Sequence, residues 1–166
     1  MNLYKWYKLE HTLYLHHIPI LPDLIKGLIR VIWGGVIPYQ AVIGEGTVLG
    51  YQALGTVIHK RCVIGKNCRI SQNVTLGGTS GFYEVPILGD NVEVGVGANI
   101  IGPVCIGNNV TIGAGAVVLN DLPDNCVAVG VPAKIVKYKD VNIYNRAEGK
   151  KYEKSNASFW NQTRSH

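Results

Sequence analysis

An apolar residue returns every sixth position through residues 58–118, and this period narrows the possible fold more than any other feature of the chain. Ile58, Ile64, Ile70 and Leu76 keep the spacing, and the count resumes at Leu88 and runs through Val94, Ile100, Ile106, Ile112 and Val118. Glycine usually follows, as Gly65, Gly77, Gly89, Gly95, Gly107 and Gly113 do. Four positions after the apolar residue the side chain is small: Cys62, Cys68, Val74, Ala98, Val110, Ala116. Neither a 3.6-residue helix nor an alternating strand has such a period. It is the hexapeptide signature of a parallel β-helix, whose units bury their apolar side only by stacking on one another. Three hexads make one triangular coil, so positions eighteen apart are expected to stack about 4.8 Å from each other.

Around this array the chain divides into a helical segment at 1–35, the β-helix at 36–137, and an irregular or helical tail at 138–166. Leu3, Tyr4, Trp6, Tyr7, Leu9, Leu13, Tyr14 and Leu15 predict one amphipathic helix that ends near Pro19 and Pro22. Asp23 is expected to cap a second, with Leu24, Ile25, Leu28, Ile29, Ile32 and Trp33 on its apolar side. Lys26 and Arg30 interrupt a run already too short to span a bilayer. The first reading of these helices is packing on the β-helix or on a neighbouring subunit. The second is that their aromatics and Lys/Arg lie on the inner membrane surface. Lys5 and Lys8 break up the start and no cleavage site follows, so no signal peptide is expected and the cytoplasm is the default compartment.

Charged residues make up 16% of the chain and glycines number 20, which describes an ordered, turn-rich protein. A net charge of +5 suits an anionic ligand or a membrane surface. Nucleic acid is not expected as a partner, because the cations form no stripe and no binding motif is present. Cys62, Cys68, Cys105 and Cys126 form no CxxC pair, and the first two occupy the small core slot, so reduced core thiols are expected. No set of His, Cys, Asp and Glu has metal-ligand spacing, and no metal is expected.

The array breaks twice. Leu49 to Ile58 is nine residues, so 50–56 must hold an extruded turn, and 79–86 (TSGFYEVP) is expected to protrude as a loop without shifting the hexad phase. In an eighteen-residue count His59 lies beneath Gly77, with Gly95 and Gly113 further along the same column. An imidazole thus stands where the repeat prefers glycine, flanked by both interruptions, and interruptions of a repeat map to its binding face. A neutral imidazole with a pKa near 6.5 can accept a hydroxyl proton. His11, His16 and His17 fit packing or surface roles better.

The motifs NVTLGGT at 73–79, VGVGA at 94–98, IGAGAVV at 112–118 and GVPAK at 130–134 resemble the serine acetyltransferase branch of the hexapeptide acyltransferases. The resemblance covers roughly 36–137. It implies a left-handed parallel β-helix, homotrimers with active sites between subunits, a histidine base, and acetyl-CoA as co-substrate. It further implies that Gly97-Ala98 and Gly115-Ala116 line the pantetheine groove, and that Pro132, Ala133, Lys134 and Lys137 sit by the CoA phosphates. The chain departs from the serine enzymes at Gly50-Tyr51-Gln52-Ala53, which holds no histidine, near Val36, where the partner aspartate is missing, and at Tyr83-Glu84-Val85. It is similar instead to short members associated with bacterial surface polysaccharide synthesis. The base is therefore expected at His59, with Gly77-Gly78 or Gly97 offering an N–H to the oxyanion. Glu84 and Tyr83 are expected to orient the acceptor or the imidazole, and Tyr51 to contact the acceptor. The expected acceptor is a sugar hydroxyl. The alternatives are serine O-acetylation and, from another class, a non-catalytic trimeric scaffold.

Overall fold

Strands of two residues cannot stand alone, and most of the strands here are that short. They persist because each lies in parallel register on the next coil. The computed structural model describes residues 3–139, so the expectations for the tail fall outside the described residues from 140 onward. Two helices, α1 (Leu3–Leu15) and α2 (Leu21–Trp33), precede a parallel β-helix of three sheets. Sheet A stacks β3 (Val57–Ile58), β6 (Thr75–Gly77), β9 (Asn99–Ile101) and β12 (Val117–Val118). Sheet B stacks β1 (Val42–Ile43), β4 (Val63–Ile64), β7 (Ile87–Leu88) and β10 (Cys105–Ile106). Sheet C stacks β2 (Val48–Leu49), β5 (Arg69–Ile70), β8 (Glu93–Val94), β11 (Thr111–Ile112) and β13 (Cys126–Val129), and β14 (Lys134–Tyr138) closes it antiparallel.

The hexad residues are the inward member of every pair. Ile58, Leu76, Ile100 and Val118 fill the core from sheet A, and their counterparts on the other two sheets are buried with them. Each such side chain contributes about 1.5–3 kcal/mol on burial. Cys62 and Cys68 occupy the small slots as buried thiols, and burial pushes the Cys62 thiol up to about 12. The glycine after the hexad residue has a different cause. A Cβ on Gly44 would lie 2.5 Å from the Gly65 carbonyl carbon, and one on Gly95 would lie 2.5 Å from the Ala114 nitrogen. The coils pass too closely there for any side chain.

The eighteen-residue count holds for Ile58 on Leu76 and for Ile100 on Val118, but Leu76 pairs with Ile100, a coil of 24. The surplus is the 79–86 loop, and Phe82 within it is 59% exposed, so the segment is a protrusion and not a further pair of hexads. This corrects the expected column. Gly77 lies over His59, but the next residue is Ile101 rather than Gly95, because the loop moves every later residue one face on. Gly95 and Gly113 belong to sheet C, above Ser71. A Cβ on Gly77 would come closest to the Ile101 side chain, at 3.3 Å, and to no backbone. Glycine is therefore not enforced at the end of sheet A, and a ring there is less exceptional than the repeat suggests.

Helix α1 packs on the first coil, as the first reading expected, and α2 packs on α1. Tyr7 donates its hydroxyl to the Ala41 carbonyl at 2.7 Å and accepts the Ile43 N–H at 3.1 Å. Gln52 Oε1 accepts the Leu3 N–H at 2.6 Å, and the His11 ring bonds the Tyr39 carbonyl through Nδ1, a packing role. Asp23 does not cap α2: the helix starts at Leu21 after Ile20, and the Asp23 carboxylate instead pairs with Lys26 at 2.5 Å. Proline in the first turn already fixes the backbone there, which lets the helix start ahead of Asp23.

Glu10 is the exception in this interface. It is fully buried, neither carboxylate oxygen has a hydrogen-bond partner among the described residues, and burial raises its pKa from 4.5 to about 8. A neutral folded carboxyl and an ionised unfolded one oppose folding as pH rises, so stability is greatest below 4.5 and falls until about 8. The loss across that window is on the order of a few kcal/mol. Urea denaturation at both ends of the window should show it, and Glu10→Gln should abolish the slope; an unchanged slope in that variant would mean that another group titrates.

Candidate active site

Each coil turns three corners, and the functional candidates separate between two of them. The corner from sheet A to sheet B carries His59 directly after β3 and, one coil on, Gly77 at the end of β6 followed by Gly78 and the 79–86 loop. His59 is half-buried. Its Nδ1 accepts the Arg61 backbone N–H at 3.2 Å, which leaves the proton of the neutral ring on Nε2. Burial, then the charges of Arg61 and Lys60, hold its pKa below the ordinary 6.5. All three causes act in one direction, so the ring is neutral at physiological pH. Proton uptake at Nε2 requires the other tautomer, with the Arg61 N–H released and Nδ1 protonated.

The loop reaches this corner through Arg61, a residue that sequence reasoning passed over. Its guanidinium lies 4.1 Å above the Tyr83 ring and donates from Nη2 to the Tyr83 carbonyl. Tyr83 and Glu84 thus stand on the segment that Arg61 anchors beside His59, both with exposed side chains. Gly78 is exposed, and its N–H has no hydrogen-bond partner among the described residues, as an oxyanion donor requires. The Gly97 N–H is committed instead to the Gln72 carbonyl at 3.1 Å. Of the two expected donors, only the Gly77-Gly78 step remains open.

The corner from sheet C to sheet A holds a different set. It begins with the Gly50–Ala53 turn, where Tyr51, Gln52 and Ala53 all have positive φ, and continues through Asn73, Gly97 and Gly115. This turn is the expected extrusion, but it lies across sheet A from His59. It serves α1 through Gln52, while the Tyr51 side chain is 77% exposed on that far corner. Gly97 and Gly115 have φ of +68° and +66°, and a Cβ on either would meet nothing within 4 Å. The column ends at residues 130–133, where the Gly130 carbonyl accepts the Val117 N–H and the Ala133 N–H bonds the Val117 carbonyl at 2.7 Å. Lys134 and Lys137 follow on β14 with exposed side chains.

This line of open glycine surface fits an extended, flexible ligand arm such as pantetheine. The fit comes from the glycines alone. Ala98 and Ala116 are fully buried, so their side chains belong to the core. The N–H groups of Gly97, Ala98, Gly115 and Ala116 are all used within the β-helix, which leaves carbonyl lone pairs for an arm's amides.

The family model described as bacterial transferase hexapeptide (six repeats) matches residues 86–120. The serine acetyltransferase of Helicobacter pylori strain J99 is 40% identical over 132 residues, which cover 78% of this chain and 77% of that protein. The chain belongs to the serine acetyltransferase-like branch of the hexapeptide transferases. A second member of that branch, the serine acetyltransferase of Synechococcus elongatus, is 39% identical over 82% of this chain and 57% of its own length. The Brucella abortus serine acetyltransferase solved with coenzyme A superposes with a TM-score of 0.78 at 31% identity, over 82% of this chain and 55% of that one. The chain thus spans little more than half the length of several of its relatives.

The His59 ring should titrate, by imidazole NMR, with a midpoint below 6.5. Arg61→Met removes one of the two neighbouring charges and should move the midpoint upward. A midpoint unmoved by that change would show that the Arg61 charge does not reach the ring.

Proposed function

We propose that the chain is an acetyl-CoA-dependent O-acetyltransferase in which His59 is the general base. The observation that carries this reading is a neutral, half-buried imidazole at the corner from which the 79–86 loop departs one coil on, in a β-helix whose opposite sheet A edge bears an open glycine groove. Acetyl-CoA supplies an activated acetyl thioester. His59 accepts the proton of the acceptor hydroxyl as the new C–O bond forms, and returns it to the departing thiolate. The Gly78 N–H is the donor available to the oxyanion. Gly97 and Gly115 would take the pantetheine arm, and Lys134 and Lys137 the phosphates. Glu84 and Tyr83, on the anchored loop, would orient the acceptor.

His59 and the glycine column stand on opposite edges of sheet A, and this supports a homotrimer in which the groove of one subunit meets His59 of the next. The same arrangement would carry Tyr51 toward a neighbour's acceptor.

The relatives' names favour L-serine as the acceptor over the sugar hydroxyl that the sequence motifs suggested first. One observation keeps the saccharide as a second reading: the Gly50–Ala53 turn and the Tyr83-Glu84-Val85 segment hold none of the histidines through which serine enzymes work. An acetyl-CoA assay with L-serine beside sugar nucleotides and oligosaccharides separates the two, since only one class should release CoA. His59→Ala should lower turnover roughly a hundredfold or more at unchanged particle mass; unaltered turnover would remove His59 from the mechanism.

A bilayer is the second proposed partner. The outer face of α2 leaves Leu24, Leu28, Val31 and Ile32 between 42% and 85% exposed. Around it the exposed charges are cationic: Asp23 is paired with Lys26 and Glu10 is neutral, while Lys5, Lys8 and Arg30 face solvent. A second copy of this face would oppose its own cations, whereas an anionic lipid surface complements them. The chain should sediment with phosphatidylglycerol vesicles and not with phosphatidylcholine ones, and Leu24→Glu with Val31→Glu should release it. Equal sedimentation of that double variant would reject the membrane contact. Among the described residues no helix is long and apolar enough to cross a membrane.

A further inference from the structure

Arg61 is held more firmly than a loop anchor needs and neutralised less than a half-buried cation needs. Stacking on Tyr83 at 4.1 Å and the bond to the Tyr83 carbonyl fix the plane of its guanidinium two residues from His59. Its Nε is buried and has no hydrogen-bond partner among the described residues. The ion pair of Lys26 with Asp23, in the helical hairpin, is the one salt bridge among the described residues, so no carboxylate answers the Arg61 charge. Glu84 is next to Tyr83 in sequence yet makes no ion pair with Arg61. Lys60 adds a second, exposed cation at the same corner. An unpaired, partly desolvated guanidinium opposes folding until an anion meets it, and its planar fork suits carboxylate and phosphate oxygens.

In the proposed trimer the neighbour's groove brings its thioester end to His59, while the CoA phosphates would lie by Lys134 and Lys137 on β14, at the far end of the β-helix from the coil that carries Arg61. What approaches Arg61 is whatever approaches His59. We infer that Arg61 is an acceptor-binding residue, and that the acceptor carries an anionic group, a carboxylate or a phosphate, close to the hydroxyl presented to His59. The inference rests on the assignment of His59 as base. It narrows the substrate class: a neutral sugar hydroxyl would leave the guanidinium unanswered, whereas an amino-acid carboxylate, a uronate or a phosphorylated sugar would not.

Two measurements on the full chain test it. The first is binding without turnover: inorganic phosphate and methyl glucuronide are titrated separately while the His59 ring is followed by NMR. At least one should give a saturable shift that Arg61→Met abolishes and Arg61→Lys partly retains, and the comparison tells phosphate from carboxylate. The second is selectivity, with L-serine against L-serinamide, methyl glucuronide against methyl glucoside, and uridine diphosphoglucose against glucose. The preferred anionic acceptor should exceed its neutral counterpart by about tenfold or more in kcat/KM. Arg61→Met should collapse that ratio toward one while the KM for acetyl-CoA stays put. If neither anion shifts the ring, the anion site is wrong. If Arg61→Met slows charged and neutral acceptors equally, Arg61 only clamps the loop, and the inference again fails. Saturable binding with no acetyl transfer to any acceptor would sink the acetyltransferase reading while leaving the anion site standing.

Discussion

The close passage of one coil over the next is the interaction on which everything else here depends. Two-residue strands have no independent stability, so backbone hydrogen bonds between coils and a continuous column of apolar side chains must form together. That contact dictates glycines such as Gly44 on sheet B and Gly95 on sheet C, where backbone of the neighbouring coil fills the place of a Cβ. It also dictates the small residues at the inward corners, because a larger side chain at Cys62 or Ala98 would push the coils apart. Sheet A ends with more room, and that room is where His59 stands.

Because the three corners repeat in register, each becomes a column with its own chemistry. The corner from B to C is turned by Asn67, Asn91 and Asn109 in the left-handed region. The corner from C to A is a track of open glycine. The corner from A to B holds the imidazole, the free Gly78 N–H and the loop anchored by Arg61. Two of these edges carry the candidate functional groups, on opposite sides of sheet A.

The hexad count carries the fold, because burial on every coil leaves a period that no other architecture shares. It also locates the nine-residue step and the loop. It fails where the loop changes the coil from 18 to 24 residues, since a surplus of one hexad keeps the period while rotating the chain by one face. For that reason the count places Gly95 and Gly113 in the column of His59, where they do not belong. Asp23 has the sequence position of a cap but not the role, because a proline-bearing first turn starts the helix ahead of it. Arg61 gives no signal alone, since a cation after a histidine has no signature of its own. The signal exists only in combination: the loop leaves one coil above His59, so a long side chain at that corner must meet it. The burial of Glu10 has no sequence signal either, since its neighbours on α1 are equally consistent with an exposed face.

The central claim is that catalysis joins the His59 edge of one subunit to the glycine edge of another. Mixed trimers test it directly. His59→Ala lacks the base and Gly115→Trp fills the groove, and each variant alone should be inactive. Unfolded together at equal amounts and refolded, they should recover about a quarter of the wild-type activity, since one site in four then pairs an intact base with an intact neighbouring groove. A mixture as inactive as its components, in trimers shown to have exchanged subunits, would contradict the shared site and confine both elements to a single chain.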